Sequence, residues 1–226
     1  MQSNDVDSWD QYWLKSRDSS ILQKLYARIA TFYRRKLISP RLKHELLKAF
    51  PNGGKLLHAG SGGGEVDQAL SGVFDVTAID ISANAIASYE NLNPENKALI
   101  GDILSLDLKD SNFDGYYNLG VMEHFSQKQC EAILQNANKV LKTGGKIVIF
   151  WPPSYGVSVI FLSLLHFCLK LIKRKNFVPL HPEEPNKVFS RKRILALVNK
   201  SGFELQRFNF SIRDGFTYVV IVAKKS

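Results

Sequence analysis

Two patterns of apolar residues alternate along the chain. Short apolar runs, bounded by glycine or charged residues, predict buried strands at 56–59, 76–79, 98–100, 116–120 and 146–150. Between them, apolar residues recur at helical spacing over 82–92 and 126–141, and Ser82 has a side chain suited to capping a helix start. Strands that alternate with helices in this way predict a parallel sheet with helices on both faces.

The two ends of the chain carry different patterns. Apolar residues at helical spacing near the N terminus predict helices over 21–38 and 40–50, and a further helix is predicted from Ser190. The apolar runs 203–210 and 216–222 flank a polar turn and predict an antiparallel hairpin. We therefore expect an α/β fold with a Rossmann-like, doubly wound sheet of seven strands, a terminal antiparallel hairpin and a helical N-terminal extension.

An apolar insert follows the fifth predicted strand. Residues 157–172 are mostly apolar, and Lys173, Arg174 and Lys175 come directly after them. This run is shorter than the roughly 20 residues that a membrane-spanning helix needs. Two interpretations stay open: a lid helix over a site, or an interfacial helix whose basic end contacts anionic lipid or an acyl-bearing substrate.

A glycine cluster between the first two predicted strands marks the clearest candidate site. Gly60, Gly62, Gly63 and Gly64 follow the first strand, and Asp80 ends the second strand, twenty positions after the first glycine. Glycine lets the backbone turn sharply and approach a ligand, and we expect a helix to begin there whose free amides attract the ligand's negative end. Since a carboxylate suits the two hydroxyls of a ribose, this stretch predicts a nucleoside-cofactor cradle.

The glycine spacing indicates which kind of nucleoside cofactor to expect. A dinucleotide fingerprint needs glycine at its sixth position, where this chain has Glu65, and the cluster instead reads Gly60-x-Gly62-x-Gly64. Together with GVMEHF at 120–125 and VLKTGGKIVI at 140–149, it resembles the class I S-adenosylmethionine-dependent methyltransferases. The resemblance is to the small-molecule type and is similar to the ubiquinone-biosynthesis O-methyltransferase group.

The resemblance implies a set of cofactor-binding residues. They are Arg41, Gly60, Ser61, Gly62, Gly64, Asp80, Ile81, Asp102, Ile103 and Leu119. In such enzymes, residues at the positions of Asp80 and Asp102 bind the ribose hydroxyls and the adenine amino group, and the residue at Ile103 packs on the adenine ring. Arg41 would pair with the cofactor carboxylate, and a surface arginine is the alternative.

The resemblance also implies residues on the acceptor side. His124 is the candidate general base, with a structural hydrogen-bonding role as its alternative. Tyr12, Trp13, Tyr155 and His166 are candidate substrate contacts. The first two lie in an aromatic N-terminal segment of the kind that folds over the cofactor as part of a lid.

Domain limits follow from the extent of the resemblance. We expect residues 1–50 to form a helical lid segment and residues 51–226 to form the methyltransferase domain, with an insert at 154–189. Three positions, His58, Ser61 and Gly120, depart from the pattern of the relatives, and Ser61, which replaces a common Cys, should be harmless. His58 stands where an acid usually helps to hold the methionine end of the cofactor, so that Arg41 and backbone groups would have to suffice or affinity would be weaker.

Charge is distributed unevenly within the net charge of +9. Residues 1–50 carry ten Lys and Arg against five Asp and Glu, residues 51–165 seven against twelve, and residues 166–226 thirteen against four. Basic flanks suggest an anionic partner such as a phosphate-bearing substrate, nucleic acid or a membrane surface, and solubility alone is the alternative.

Cysteine usage and the N-terminal residues bear on the compartment. Cys130 and Cys168 have neither metal-ligand spacing nor a disulfide framework, which suits a reducing compartment. Residues 1–18 lack the apolar core of a secretion signal. We expect a cytoplasmic protein, with peripheral membrane contact as an open option.

These patterns predict S-adenosylmethionine-dependent methyl transfer to an oxygen or nitrogen of a small-molecule or lipid-linked acceptor. Nucleic acid is supported as an acceptor by the basic flanks alone. One alternative is a nicotinamide-dependent oxidoreductase, which Glu65 and the terminal hairpin disfavour. A second is a cofactor-binding module at a membrane surface without catalysis.

The departure at Gly120 predicts that the enzyme requires no metal ion. The ubiquinone-pathway relatives carry Glu-x-x-Glu-His as a Mg²⁺ ligand set, and Gly120 replaces the first of these residues here. Glu123 and His124 alone make a poor site for a cation that prefers several oxygen ligands. We expect methyl transfer to be unchanged in EDTA, and loss of turnover that Mg²⁺ restores would contradict this.

Overall fold

Seven strands form one sheet in the computed structural model, which describes residues 9–10, 28, 31–106, 108, 112–154, 186–188 and 190–226. The strands are β1 Lys55–Ala59, β2 Asp75–Asp80, β3 Lys97–Ile100, β4 Phe113–Leu119, β5 Leu141–Trp151, β6 Phe203–Phe210 and β7 Val219–Lys225. Their order is β3-β2-β1-β4-β5-β7-β6. The first five run parallel to their neighbours, and β7 lies antiparallel to both β5 and β6. The predicted sheet and its terminal hairpin are therefore confirmed.

Helices cover both faces of this sheet. They are α1 Ser39–Ala49, α2 Ala83–Leu92, α3 Gln127–Val140 and α4 Arg191–Lys200. Serine side chains begin three of them: Ser82 accepts the amide of Ala85, Ser126 forms a capping box with Gln129, and Ser190 caps α4. The prediction that Ser82 caps a helix is thus confirmed.

Alternate residues of each central strand enter two separate cores. Leu56, Tyr117 and Phe150 point to one face and pack against α1. Their neighbours Leu57 and Tyr116 point to the other face and join the core that includes α3 and α4. Because a strand directs successive side chains to opposite faces, the continuous apolar runs fill both cores at once.

The segment after β1 differs from the predicted helix. Only the 3-10 turn Asp67–Leu70 forms there. Glycines at 60, 62 and 64 all have positive φ, and Gly72 ends the segment in the same way. Left-handed glycines interrupt a regular helical backbone at both ends of this segment, and the chain crosses to β2 as turns.

The N-terminal helices are continuous rather than separate. Residues 31–33 are helical, the π-helix Arg34–Ile38 follows, and α1 begins directly at Ser39. The Ser39 amide donates to the carbonyl of Arg34, five residues earlier. A π-turn at this point is reasonable because Pro40 lacks an amide hydrogen and crowds the turn before it.

Two predicted strand boundaries also shift. The fifth strand, predicted at 146–150, begins at Leu141, and residues 142–145 form an irregularity inside it: the pairing jumps from Leu141 to Lys146 while the partner strand advances only from Phe113 to Gly115. The last strand begins at Val219 instead of 216, because Gly215 and Phe216 have left-handed backbone angles and belong to the turn.

Among the residues that the structure describes, no helix is long and apolar enough to cross a membrane.

Gly64 provides a test of the packing around the glycine loop. Its φ is +75°, and an added Cβ would lie 2.4 Å from Tyr89 and 2.5 Å from Asn93. Gly72 is a matched control, since it has a φ of +70° and no atom within 4 Å of an added Cβ. We expect Gly72→Ala to cost about 1–2 kcal/mol of backbone strain, and Gly64→Ala to cost roughly 1–3 kcal/mol more through overpacking.

Urea unfolding of both variants measures this difference. Equal losses of stability for Gly64→Ala and Gly72→Ala would show that the contacts of Gly64 with α2 do not constrain the loop.

Candidate active site

The carboxyl ends of β1 to β5 form one edge of the sheet. The turn 211–218 lies at the same edge, because Val219 at the start of β7 pairs with Trp151 at the end of β5. The chain crosses over in opposite directions from β1 and β4, which are neighbours in the sheet. In doubly wound sheets, ligands bind in the crevice outside the strand ends at such a switch point.

The glycine loop at this edge is closed onto the end of β2. The amides of Gly60 and Ser61 donate to the carbonyl that precedes Asp80, at 2.8 and 3.1 Å, and the Gly62 amide donates to Asp80 Oδ2 at 2.8 Å. Asp80 Oδ1 accepts the amide of Ser82 at 3.0 Å. The expectation that free amides attract a ligand is therefore wrong for these positions, because β2 already satisfies them.

Asp80 remains able to bind hydroxyl groups. Burial raises the pKa of its carboxyl, and the amide hydrogen bonds from Ser82 and Gly62 oppose that rise. Each carboxylate oxygen accepts one amide here and can accept a second donor. Ile81 lies half-buried next to it in the chain.

Asp102 and Ile103 lie just after β3. Asp102 Oδ1 accepts the amide of Leu104 at 2.8 Å and begins the 3-10 turn Ile103–Ser105. Asn136 of α3 holds this turn through the carbonyls of Ile103 and Leu104, at 3.3 and 2.7 Å. The turn is thereby fixed, and the second oxygen of Asp102 has no hydrogen-bond partner within the described residues.

Arg41 lies in the first turn of α1, and its side chain is only 2% exposed. One terminal nitrogen bonds Glu45 at 2.9 Å, and Glu45 also pairs with Arg207 of β6. Burial raises the pKa of Asp214 and the charge of Arg41 opposes that rise, which places Arg41 near the turn between β6 and β7. The surface-arginine alternative is wrong. Nε and Nη2 of Arg41 have no partner in the described parts of the chain.

A buried polar cluster lies beneath the glycine loop. His58 Nδ1 bonds Asp67 Oδ2 at 2.7 Å, and the Tyr89 hydroxyl donates to the same oxygen at 2.7 Å. His58 stacks on Tyr117 with ring centroids 4.3 Å apart. The side chains of His58 and Asp67 are 2% and 0% exposed, and burial raises the pKa values of Tyr89 and Tyr117. His58 therefore stands where relatives carry an acid, and the carboxylate in this region is that of Asp67, nine residues later in the chain.

His124 ends the 3-10 turn Met122–His124 that follows β4. Its ring meets that of Trp9 edge to face, with centroids 5.2 Å apart and planes at 78°. Gly120, between β4 and this turn, has a φ of +66°, and Leu119 is half-buried at the end of β4. The predicted catalytic side chain therefore lies at the same edge as Asp80 and beside the N-terminal residues.

The described N-terminal residues lie across this edge. The Asp10 carboxylate accepts the hydroxyl of Ser82 and, at 3.4 Å, the amide of Asn84, and the Ser82 hydroxyl is the main cause of its lowered pKa. Trp9 next to it reaches His124. Residues 9–10 thus bridge the start of α2 and the turn after β4.

Residues 31–34 make a second bridge. Thr31 and Arg34 bind Glu65 of the glycine loop at 3.1 and 2.9 Å. Tyr33 donates to the carbonyl of Asp214 at 2.7 Å and bonds the hydroxyl of Thr217. Nothing in the sequence pattern singled out Glu65, Asp67, Trp9 or Asp10 for these contacts, since each depends on residues far away in the chain.

Four predicted substrate contacts lie outside the described residues. They are Tyr12, Trp13, Tyr155 and His166. The same holds for the apolar run 157–172 and the basic residues after it. The two ends of the insert are adjacent, because the Ser154 amide donates to the Val188 carbonyl at 3.1 Å.

Metal ligands do not cluster in the part of the chain that the structure describes. No group of three or more His, Cys, Asp or Glu side chains could hold an ion there.

Comparison with known proteins agrees with this geometry. Residues 57–149 match the family model of a methyltransferase domain. No curated protein sequence matches the chain.

Solved structures share the fold at low sequence identity. Magnesium protoporphyrin IX methyltransferase from Synechocystis PCC 6803 aligns with a TM-score of 0.68 at 13% identity, covering 97% of both chains. A SAM-dependent methyltransferase from Methanosarcina mazei aligns with a TM-score of 0.59 at 20% identity, covering 80% of this chain and 96% of its own. A TehB-like methyltransferase from Corynebacterium glutamicum has a TM-score of 0.59 at 20% identity and full coverage of both chains.

The matched domain contains the glycine loop, Asp80, Asp102 and His124, which lie at one edge of the sheet in this fold. Residues 57–149 therefore carry a methyltransferase domain, and the protein is an S-adenosylmethionine-dependent methyltransferase.

Proposed function

We propose that this methyltransferase acts on a hydroxyl or amino group of a small-molecule or lipid-linked acceptor, as the ubiquinone-biosynthesis O-methyltransferases do. One observation carries the proposal: Trp9 and Asp10 lie across the edge that holds Asp80 and His124. A site covered in this way favours a compact acceptor group over a long polymer. The name of the Synechocystis neighbour likewise denotes a small-molecule acceptor.

The residues present fit S-adenosylmethionine. Asp80 offers carboxylate lone pairs for the ribose hydroxyls, and the open oxygen of Asp102 suits the adenine amino group. The orphaned Nε and Nη2 of Arg41 are buried donors that would suit the carboxylate of the cofactor. Gly60, Ser61, Gly62, Gly64, Ile81, Ile103 and Leu119 would form the backbone and apolar surroundings.

His58 and Asp67 support this site from below. His58 lies two residues before Gly60, and Asp67 fixes its ring through Nδ1. Asp67 also accepts from Tyr89, whose ring fills the space beside Gly64. The cluster therefore holds the glycine loop against α2, and we infer that it replaces the fixed acid that relatives carry at the position of His58.

The chemical step needs alignment, exclusion of water and removal of a proton. When bound, S-adenosylmethionine supplies an electrophilic methyl group on a sulfonium. Trp9 and Asp10 would limit access of water to the acceptor. His124 would take the proton of an acceptor hydroxyl or ammonium, and its contact with Trp9 would hold the imidazole in position. No residue in this scheme needs to form a covalent intermediate.

Asp80 gives a direct test of the cofactor site. Asp80→Asn should weaken binding of S-adenosylhomocysteine by about 1–3 kcal/mol, roughly 5- to 150-fold, since hydroxyl donors lose a charged acceptor. Because burial raises the Asp80 pKa above 3.8, affinity in the native enzyme should fall as the pH drops through that raised pKa. The variant should lack this dependence. Titration calorimetry measures both effects.

Asp75→Asn is the matched control, because Asp75 is exposed at the opposite end of β2. It should bind S-adenosylhomocysteine as the native protein does. Equal affinities for native protein and Asp80→Asn would place the ribose elsewhere, and NAD binding without S-adenosylhomocysteine binding would refute the cofactor assignment.

A labelled-methyl screen tests the acceptor class. Enzyme and methyl-labelled S-adenosylmethionine are incubated with aqueous metabolites, total lipid or nucleic acid from cells, with Asp80→Ala as the blank. We expect label in a small molecule or a lipid, because the site is covered. Label found in nucleic acid or protein would overturn the proposal.

A further inference from the structure

The N-terminal helix exposes an aromatic side chain among cations. Phe32 is 65% exposed, and Arg28, Arg35 and Lys36 are exposed at positions four before, three after and four after it. All four are helical residues, and each cation lies three or four positions from Phe32 in the chain. An exposed phenylalanine ringed by positive charge is unusual for a surface that meets only water.

Within the described residues, no acidic side chain pairs with these cations. Residues 28–48 contain seven Lys and Arg and one acidic residue, Glu45, which is buried and paired with Arg41 and Arg207. Arg34 pairs with Glu65. Arg28, Arg35 and Lys36 have no ion-pair or hydrogen-bond partner among the residues described.

A second exposed apolar side chain lies on the adjoining turn. Ile212 is 73% exposed, between Ser211 and the cationic Arg213. The helix contacts this turn, because Tyr33 donates to the carbonyl of Asp214 at 2.7 Å. Leu37 is 40% exposed on the same helix. Exposed apolar groups and exposed cations therefore occur together on two segments that are in contact.

We propose that this basic-apolar surface, formed by Arg28, Phe32, Arg35, Lys36, Leu37 and Ile212, docks on an anionic lipid surface. Its charge complements acidic headgroups, and its apolar side chains can enter the boundary between headgroups and acyl chains. Nucleic acid would complement the cations but would leave the aliphatic Leu37 and Ile212 in water. The observations therefore favour lipid.

The position of the surface links it to catalysis. Tyr33 and Arg34 connect the helix to the turn after β6 and to the glycine loop, both at the carboxyl edge. Docking would bring the active site close to the lipid surface. This link rests on the proposed function, whereas the docking itself does not.

Vesicle co-sedimentation tests the proposal, with phosphatidylcholine vesicles that contain or lack phosphatidylserine. We expect binding only with phosphatidylserine, and weaker binding at high salt. The double variant R35E/K36E should bind about tenfold or more weakly. Phe32→Ser, which keeps every charge, should also bind several-fold more weakly because it loses the apolar contact.

K128E/K192E is the matched control. Lys128 and Lys192 are exposed on α3 and α4, on the opposite face of the sheet, and the double variant changes the net charge by the same amount as R35E/K36E. It should bind vesicles as the native protein does. If K128E/K192E loses as much vesicle binding as R35E/K36E, or if Phe32→Ser binds vesicles as the native protein does, net charge alone explains the binding. Either result would overturn the proposal.

Calorimetry with S-adenosylhomocysteine on every variant separates the two proposals. Native binding of S-adenosylhomocysteine without vesicle binding refutes the docking surface and leaves the proposed function intact. Vesicle binding without S-adenosylhomocysteine binding supports the docking surface and refutes the proposed function. If duplex DNA or RNA, but not phosphatidylserine, binds and is sensitive to R35E/K36E, nucleic acid is the partner instead.

Discussion

The hydrogen bonds between the glycine loop and the end of β2 are the constraint on which the site depends. Three successive amides, from Gly60 to Gly62, are satisfied by one backbone carbonyl and by the Asp80 carboxylate. Because buried backbone donors need partners, Asp80 cannot be released from the loop without a cost in free energy. The same carboxylate therefore fixes the backbone of the loop and keeps lone pairs that can accept further donors.

A second layer of interactions makes that arrangement rigid. Asp67 is fully buried and accepts from both His58 and Tyr89, so a single carboxylate connects β1, the 3-10 turn and α2. Asn93 of the same region donates to the carbonyl of Gly64 at 3.0 Å. A buried network of this kind is stabilising only while every member keeps its partner, and this ties the loop conformation to the packing of α2.

The described N-terminal residues lie across the sheet edge that carries Asp80 and His124. Their contacts reach three separate structures: the glycine loop through Glu65, the start of α2 through Ser82, and the turn after β4 through His124. Arg34, which makes the first of these contacts, belongs to the helical stretch that also exposes Phe32. Two N-terminal segments, residues 9–10 and 31–38, therefore contact the edge of the sheet at separate points, and the second of them also forms part of the outer surface.

The sequence by itself determined the sheet and the terminal hairpin, and it supplied the candidate cofactor residues, which stay a prediction. Apolar runs, glycine spacing and a strand-end aspartate are local patterns, and local patterns can be recognised without knowing what lies opposite them. Only the tertiary structure decided the rest. The loop amides are occupied by β2, the helix expected after β1 is a short turn, and Arg41 is buried beside Glu45. Asp67 reaches His58, and Trp9 reaches His124, through contacts that the folded chain alone creates. Burial and hydrogen-bond partners depend on residues distant in sequence, which is why no local pattern could reveal them.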